Sequence, residues 1–311
     1  MNCTNIAVLD LGKQVAKELG KKHSEGDFTP YSYKSSENVL CAYEPTLYPD
    51  KIQPLLYSLG MADAALLVCR ELTPELGEMI LAADAWGGPG FILFEDDSRE
   101  KVAPFLKGTA LEAYRELSGS YAEIRDVLAS EKFERKGGDV KIVIDQCFNV
   151  KSVGTVVLGV VKRGTVSAHD GLELTPGGKL VNVKSLQVQD ADVKEAEEGS
   201  RVGVCLKGTD VSEIGRGNVL AKQGTMKTAK EAEIEVSLSK YSKAGMRDGV
   251  QFFAFIGMQY AGFRALGNIE AGKSGKLKVS FEKPVAHEPG EQFMIISPES
   301  KPRIIGKGRF S

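Results

Sequence analysis

The sequence predicts a multidomain chain in which one α/β domain is followed by two all-β barrels, and three observations carry that expectation. Short apolar runs alternate with helix-spaced segments from Asn5 to Phe133, the pattern of a parallel α/β sheet. Between Lys141 and Ala221, runs rich in Val, Ile, Leu and Thr are broken every eight to twelve residues by Gly, Asn or Asp, as in a small barrel. Glu231 to Ser311 clusters its apolar residues between turns in the same way, and 311 residues is long for one domain. The expected boundaries are 1–133, 139–225 and 231–311.

Asn5 to Asp10 reads as a buried strand. Leu11-Gly12-Lys13-Gln14 then leads into a segment with Val15, Ala16 and Leu19 spaced for a helix. Strand, Gly-Lys, helix is the context of the phosphate loop G-x-x-x-x-G-K-[ST], whose backbone amides cradle phosphates at a helix start. No glycine stands five positions before Gly12, however, and Gln14 replaces the hydroxyl that ligates magnesium. Lys13 reads either as a remnant of the phosphate lysine or as a surface lysine at a helix start.

Ser24 to Glu37 is polar and reads as a loop or an irregular edge, Asn38 to Tyr43 as a strand. Asp50 to Met61 reads as a helix with Ile52, Leu55, Leu56 and Leu59 on one face, and Ala64 to Cys69 as a strand. Pro74 to Trp86 follows as a helix and Phe91 to Phe94 as a strand. Arg99 to Leu106 and Ala110 to Leu128 read as the closing helices. Ser130 to Gly138, charged and ending in Gly-Gly, suits a linker, as does Lys222 to Lys230. In the barrel stretch, Gly154 is expected at a bend beside core residue Val157, and Asp170-Gly171 and Gly177-Gly178 at hairpin turns.

The barrel wording is distinctive: Gly154-Thr155-Val156-Val157-Leu158-Gly159, then Gly164 through Asp170-Gly171, then Gly199-Ser200-Arg201-Val202-Gly203 and Arg216-Gly217-Asn218-Val219-Leu220. It resembles the second domain of the EF-Tu family of translational GTPases. Ser185 to Val193 looks most like the selenocysteine-specific branch and its archaeal relatives. Phe281 to Ala286, Gly290 to Ile295 and Arg303 to Gly308 resemble the family's third domain, and residues 62–94 its strand-helix-strand after the second switch.

The resemblance implies a P-loop GTPase-like first domain, and the residues depart from it at the phosphate cradle, the metal ligand, the hydrolytic group and base recognition. The phosphate loop is short and lacks its hydroxyl. Tyr43-Glu44-Pro45-Thr46-Leu47, set on Asp-x-Pro-Gly-His, keeps only the proline, with Leu47 in place of the hydrolytic histidine. Phe94-Glu95-Asp96-Asp97 stands where Asn-Lys-x-Asp reads guanine, and only Asp97 fits. The implied remnant nucleotide site is Gly12, Lys13 and Asp97 in a degenerate GTPase domain, with hydrolysis absent and GTP binding weak or absent.

Carried onto this chain, the family's tRNA acceptor-end pocket falls on Asp145, Gln146, Phe148, Gln187 and Asp190. Phe148 reads either as that pocket's aromatic or as core packing, and Asp190 puts a negative charge where the family has arginine. Gly257-Met258-Gln259-Tyr260 falls where the third domain approaches the tRNA stem. Arg264 lies there too, with Lys240, Lys243 and Arg247 adding charge; these four read either as RNA-backbone contacts or as solvated surface.

Composition sets limits on the rest. Hydrophobic content of 42% and charged content of 26% are ordinary for a folded globular chain. No apolar run reaches the ~20 residues of a membrane helix, and no signal-peptide pattern opens the chain, so a cytoplasmic location is expected. Cysteines 3, 41, 69, 147 and 205 are scattered without a Cys-x-x-Cys pair and the three histidines are isolated, which predicts no metal and no disulfide framework. Charge is uneven: residues 1–138 carry 15 basic and 22 acidic side chains, residues 226–311 carry 14 and 9.

The expectation is an elongation-factor-like translation protein without a working GTPase, needing no cofactor. Its expected partners are tRNA, the ribosome or translation-factor proteins, with neither membrane nor DNA. The alternative is a scaffold or regulator that uses the same shell for protein contacts.

Overall fold

Alternation of apolar runs and amphipathic segments builds the first domain around a seven-stranded sheet. The structure, a computed structural model, describes residues 2–95 and 97–311. In chain order the first elements are β1 (Asn2–Leu9), α1 (Val15–Leu19), β2 (Lys21–Lys22), β3 (Thr29–Lys34), β4 (Asn38–Glu44), α2 (Gln53–Met61) and β5 (Ala64–Cys69). Then come α3 (Pro74–Trp86), β6 (Gly90–Phe94), α4 (Ser98–Leu106), a 3₁₀ turn at Ala110–Ala113, β7 (Arg115–Leu117) and α5 (Tyr121–Ser130). Sheet order is β2-β3-β4-β1-β5-β6-β7, and β4, β1, β5, β6 and β7 run parallel. Ile6 and Val8 pack with α1 and α5 on one face, Ala7 and Leu9 with α2 and α3 on the other. Strands covered on both faces read as unbroken apolar runs, which is why β1 and β5 were legible.

Two stretches depart from the sequence reading. Ser24 to Glu37, expected as a loop or irregular edge, contains β3, which lies next to the edge strand β2 and pairs antiparallel with β4 from Thr29↔Glu44 to Lys34↔Val39. Its Pro and scattered polar residues hid a strand buried only at one end. Ala110 to Leu128, expected as one helix, is broken: β7 pairs with β6, and Ser120 and Glu123 form a reciprocal capping box that starts α5 at Tyr121. Asp96 of the guanine-reading slot lies outside the described residues.

The first barrel comprises β8 (Lys141–Val150), β9 (Gly154–Arg163), β10 (Thr165–Ser167), β11 (Gly171–Thr175), β12 (Lys179–Val188), β13 (Ala191–Val193), β14 (Glu195–Glu197), β15 (Arg201–Lys207) and β16 (Val219–Ala221). Six strands close in the cycle β11-β16-β8-β9-β15-β12, while β10 pairs with β14 as a separate ribbon. Gly154 takes φ +113 with open space where a Cβ would stand, so the left-handed backbone, and no core clash, calls for glycine. Near Asp170-Gly171 the positive φ falls on His169 (+76), and β10 and β11 are not hairpin partners, because each pairs elsewhere. The expected hairpin turn at Gly177-Gly178 does join β11 to β12, with Gly178 at φ +71.

The second barrel is β17 (Lys227–Leu238), β18 (Gln251–Ile256), β19 (Gln259–Leu266), β20 (Ser274–His287), β21 (Gln292–Ile296) and β22 (Ile304–Phe310), closed in the order β17-β20-β19-β18-β21-β22. β17 starts inside the expected second linker, since Lys227 to Ala229 already pair with Val285 to His287.

One apolar core runs through all three bodies. Leu55, Leu56, Leu59 and Met79 of α2 and α3 share it with Val143 and Val160 of the first barrel and Phe255, Met258, Met294, Ile296 and Ile304 of the second. Gly60 of α2 lies so close to Gly257 and Met258 that a Cβ would strike the Gly257 carbonyl. Polar bonds trim this joint. Arg303 grips Glu78 through Nε (3.1 Å to each carboxylate oxygen) and the Glu78 carboxylate also accepts from the Tyr48 hydroxyl at 3.2 Å. Asn5, buried in β1, donates to the Gly199 carbonyl of the first barrel at 2.7 Å.

Candidate functional site

In open α/β sheets a ligand binds where the carboxyl ends of the strands meet. Here the residues leaving β1, β5 and β6 meet one another there. Asp10, at the end of β1, is buried, and its carboxylate accepts from the backbone N–H groups of Gly12 (2.9 Å), Gln14 (2.8 Å) and Val15 (3.0 Å). Arg70, just past β5, pairs with the same carboxylate and sends Nε to Glu95 past β6 at 2.5 Å. The Tyr121 hydroxyl completes the chain, donating to Glu95 at 2.7 Å. The amides after β1, those that would face a phosphate, therefore face a carboxylate, and a Cβ on Gly12 would run into the Arg70 guanidinium.

Electrostatics follow from this geometry. Burial pushes the Asp10 pKa up, but Arg70 and the Val15 and Gln14 N–H groups outweigh it and hold the carboxyl below its usual range. Glu44, at the end of β4, is also buried, and its Oε2 has no hydrogen-bond partner among the described residues. Its pKa is raised, first by burial and then by the charge on Asp10, with Lys13, Lys22 and Lys17 countering in part. Lys13 adopts φ +51 and donates Nζ to the Thr46 carbonyl at 2.7 Å, tying the β1 loop to the β4 loop. Asp97 is exposed at the start of α4 and makes no side-chain capping bond. Gly12 and Lys13 thus share the loop after β1, whereas Asp97 stands past β6 at the start of α4.

Asp10, Arg70, Glu95 and Tyr121 were not singled out from the sequence. Asp10-Leu11-Gly12 did hold a signal, since an aspartate two residues before a turn glycine commonly takes that glycine's N–H. Nothing local marks Arg70 as the partner, because it lies 60 residues away.

The expected acceptor-end residues divide between two faces of the first barrel. Asp145 is buried at the joint with the first domain, 3.6 Å from Arg201 and 3.3 Å from Arg216, so it does not line an open pocket. Burial pushes its pKa up against the opposing pull of the two guanidiniums. Those arginines reach across: Arg216 pairs with Asp27 at 2.6 Å and lies over the Tyr57 ring, and Arg201 lies over Tyr43. Phe148 is 38% exposed, which removes it from the core. Gln146 registers with Leu158, Leu158 with Gly203 and Gly203 with Gln187, so Gln146 and Gln187 lie in one cross-strand row and both are exposed. Gln187 donates to Asp192 at 2.9 Å, and Gln189 (φ +52) and Asp190 (φ +61) make the β12–β13 turn. The outer face is therefore mixed, with Phe148 and Leu158 among amides.

Lys240, Lys243, Arg247 and Arg264 are all exposed on the second barrel. Arg264 bonds the Gly249 carbonyl at 2.9 Å, in the turn closed by Val250 N–H to Arg247 O, so these two share one end of the β18–β19 hairpin. Lys240 sits over the Tyr241 ring, on the side that faces Gly108 of the first domain.

A parallel α/β domain and two six-stranded barrels, with the sequence signature of Elongation factor Tu domain 2 over residues 154–221, define a translation elongation factor-like protein. The translation elongation factor SelB of Methanococcus maripaludis, solved with the GTP analogue GppNHp, superposes with a TM-score of 0.83 at 19% identity, over 100% of this chain and 79% of that one. A bacterial selenocysteine-specific elongation factor gives 0.80 at 18% identity over 100% and 58%. In sequence, the uncharacterized protein MJ0325 of Methanocaldococcus jannaschii is 37% identical over 95% of both chains. The selenocysteine-specific elongation factor of the same organism is 36% identical over 33% of this chain and 22% of its own length. The chain belongs to the family of EF-Tu-type, selenocysteine elongation factor-like proteins that includes the M. jannaschii protein MJ0325.

Proposed function

We propose that this protein acts in translation as an elongation factor-like binder of tRNA, the ribosome or another translation component, in the cytoplasm and without a GTP hydrolysis cycle. One observation carries the reading: the loop amides after β1 are held by Asp10, which Arg70 locks in place. A triphosphate entering this cleft would have to displace an ion pair whose Asp10 carboxylate is buried and would meet Asp10, Glu44 and Glu95. Leu47, in the slot of the hydrolytic histidine, cannot position water. The exposed Phe148 and the Arg247–Arg264 end supply a stacking surface and phosphate contacts.

The test is titration with a fluorescent guanine nucleotide, with and without magnesium and beside ATP, followed by a tRNA gel shift at rising salt. No nucleotide binding at millimolar concentration and a salt-sensitive tRNA shift are expected. Micromolar, guanine-selective binding would overturn the reading of the first domain. An absent tRNA shift beside a reproducible protein partner would move the function to a scaffold.

A further inference from the structure

One cavity is lined jointly by the first domain and the second barrel. It opens between α3 and the Ser297–Arg303 loop of the second barrel and encloses about 990 Å³. That is at the upper end of what a ligand pocket offers, roughly 300–1,000 Å³. Three of its walls are large apolar side chains left open to solvent: Leu72 at 38%, Phe105 at 43% and Tyr241 at 41% exposure. They come from three separate segments, the loop before α3, helix α4 and the loop after β17, so no single amphipathic element explains their exposure. A cluster of this kind marks a contact surface, whereas single exposed apolar residues do not.

The charges that line the cavity are one-sided. Arg303 and Glu78 neutralise each other. Of the remainder, Asp50, Glu75 and Glu299 make no ion pair among the described residues, against Lys301 in the lining and Lys240 beside it over the Tyr241 ring. Gly77 faces the cavity from α3, and a Cβ there would meet nothing within 4 Å.

We propose that this cleft is a docking site for a positively charged, amphipathic segment of a partner protein. Its apolar anchor would seat against Leu72, Phe105 and Tyr241, and its Lys or Arg side chains against Asp50, Glu75 and Glu299. Charge complementarity selects this occupant: an acidic peptide or a nucleic acid backbone would meet like charge at three points. The proposal is independent of RNA binding by the barrels and stands or falls separately from it.

The probe is a random peptide library displayed on phage, selected on the full-length protein and counter-selected on Gly77→Trp, which fills the cavity from a helix position with room for it. Enriched peptides are expected to carry Lys or Arg around Leu, Phe or Trp at helical spacing. They should lose binding to Gly77→Trp and weaken about five- to tenfold, salt-sensitively, on the double charge reversal Asp50→Lys/Glu299→Lys. Both altered positions in the double variant are exposed and unpaired, so folding is preserved even if Gly77→Trp misfolds. Failure to enrich any peptide, enrichment of acidic ones, or equal binding to the double variant would overturn the proposal. So would a concentration-dependent dimer abolished by Phe105→Glu, which would give the cleft to a second copy of the chain.

Discussion

Replacing Asp10 with alanine tests the cleft most directly. The substitution leaves three backbone N–H groups without their acceptor and removes one partner of an ion pair whose carboxylate is fully buried. Breaking a buried pair from one side costs about 3–5 kcal/mol. Arg70 is partly exposed and keeps Glu95, which places the expected loss at the lower end, near 3 kcal/mol. Denaturant unfolding at neutral pH should show it, with a fall in Tm on the order of 5–10 °C. The pH dependence has a fixed sign. Asp10 titrates below its usual range, so its contribution is complete above the unfolded-chain value of about 3.9 and is lost as pH falls through the folded pKa. The gap between wild type and Asp10→Asn should therefore close in strong acid. A loss under about 1 kcal/mol, or a gap indifferent to acid, would refute the claim that this carboxylate is what fills the loop.

Glu44 should behave with the opposite sign: its folded pKa is raised, so Glu44→Gln stabilises the protein at neutral pH, and the advantage vanishes below about pH 4 in a pH-resolved melting series. Gly60→Leu drives a side chain into the Gly257 carbonyl and Met258 and should cost about 1–3 kcal/mol in denaturant unfolding. Phe148→Ala should leave stability within about 1 kcal/mol while weakening single-stranded acceptor-end RNA by the ~1–3 kcal/mol of one stacked base, read in the gel shift. Arg247→Ala and Arg264→Ala should each reduce the salt slope of tRNA binding by roughly 1 without changing sequence preference.

The strands buried on both faces were plain in the sequence as unbroken apolar runs, and the barrel strands as short apolar runs between turns. β3 was not, since its pairing with β4 depends on a neighbour and its own residues are half polar. α5 was legible as a helix but not in its start, which Ser120 and Glu123 fix through a local bond rather than through periodicity. At the candidate site, the departures of Gly12-Lys13-Gln14 and Leu47 from the family's motifs are visible letter by letter. The contacts around that loop are not: Asp10, Arg70 and Glu95 come from the ends of three different strands and meet only when the sheet brings them together. Asp145 illustrates the reverse case, a residue whose place in a strand was expected and whose inward face toward Arg201 and Arg216 depended on how the barrel meets its neighbour.

The apolar core that passes without interruption from α2 and α3 into both barrels has a mechanical meaning. A ligand moves a two-state assembly only by its difference in affinity between the states. Swinging the first domain away would bare Phe255, Met258, Met294 and Ile296 together and strip Glu78 from Arg303. Opening the joint would cost the burial of all these side chains at once, so α2 and α3 brace the first domain against both barrels.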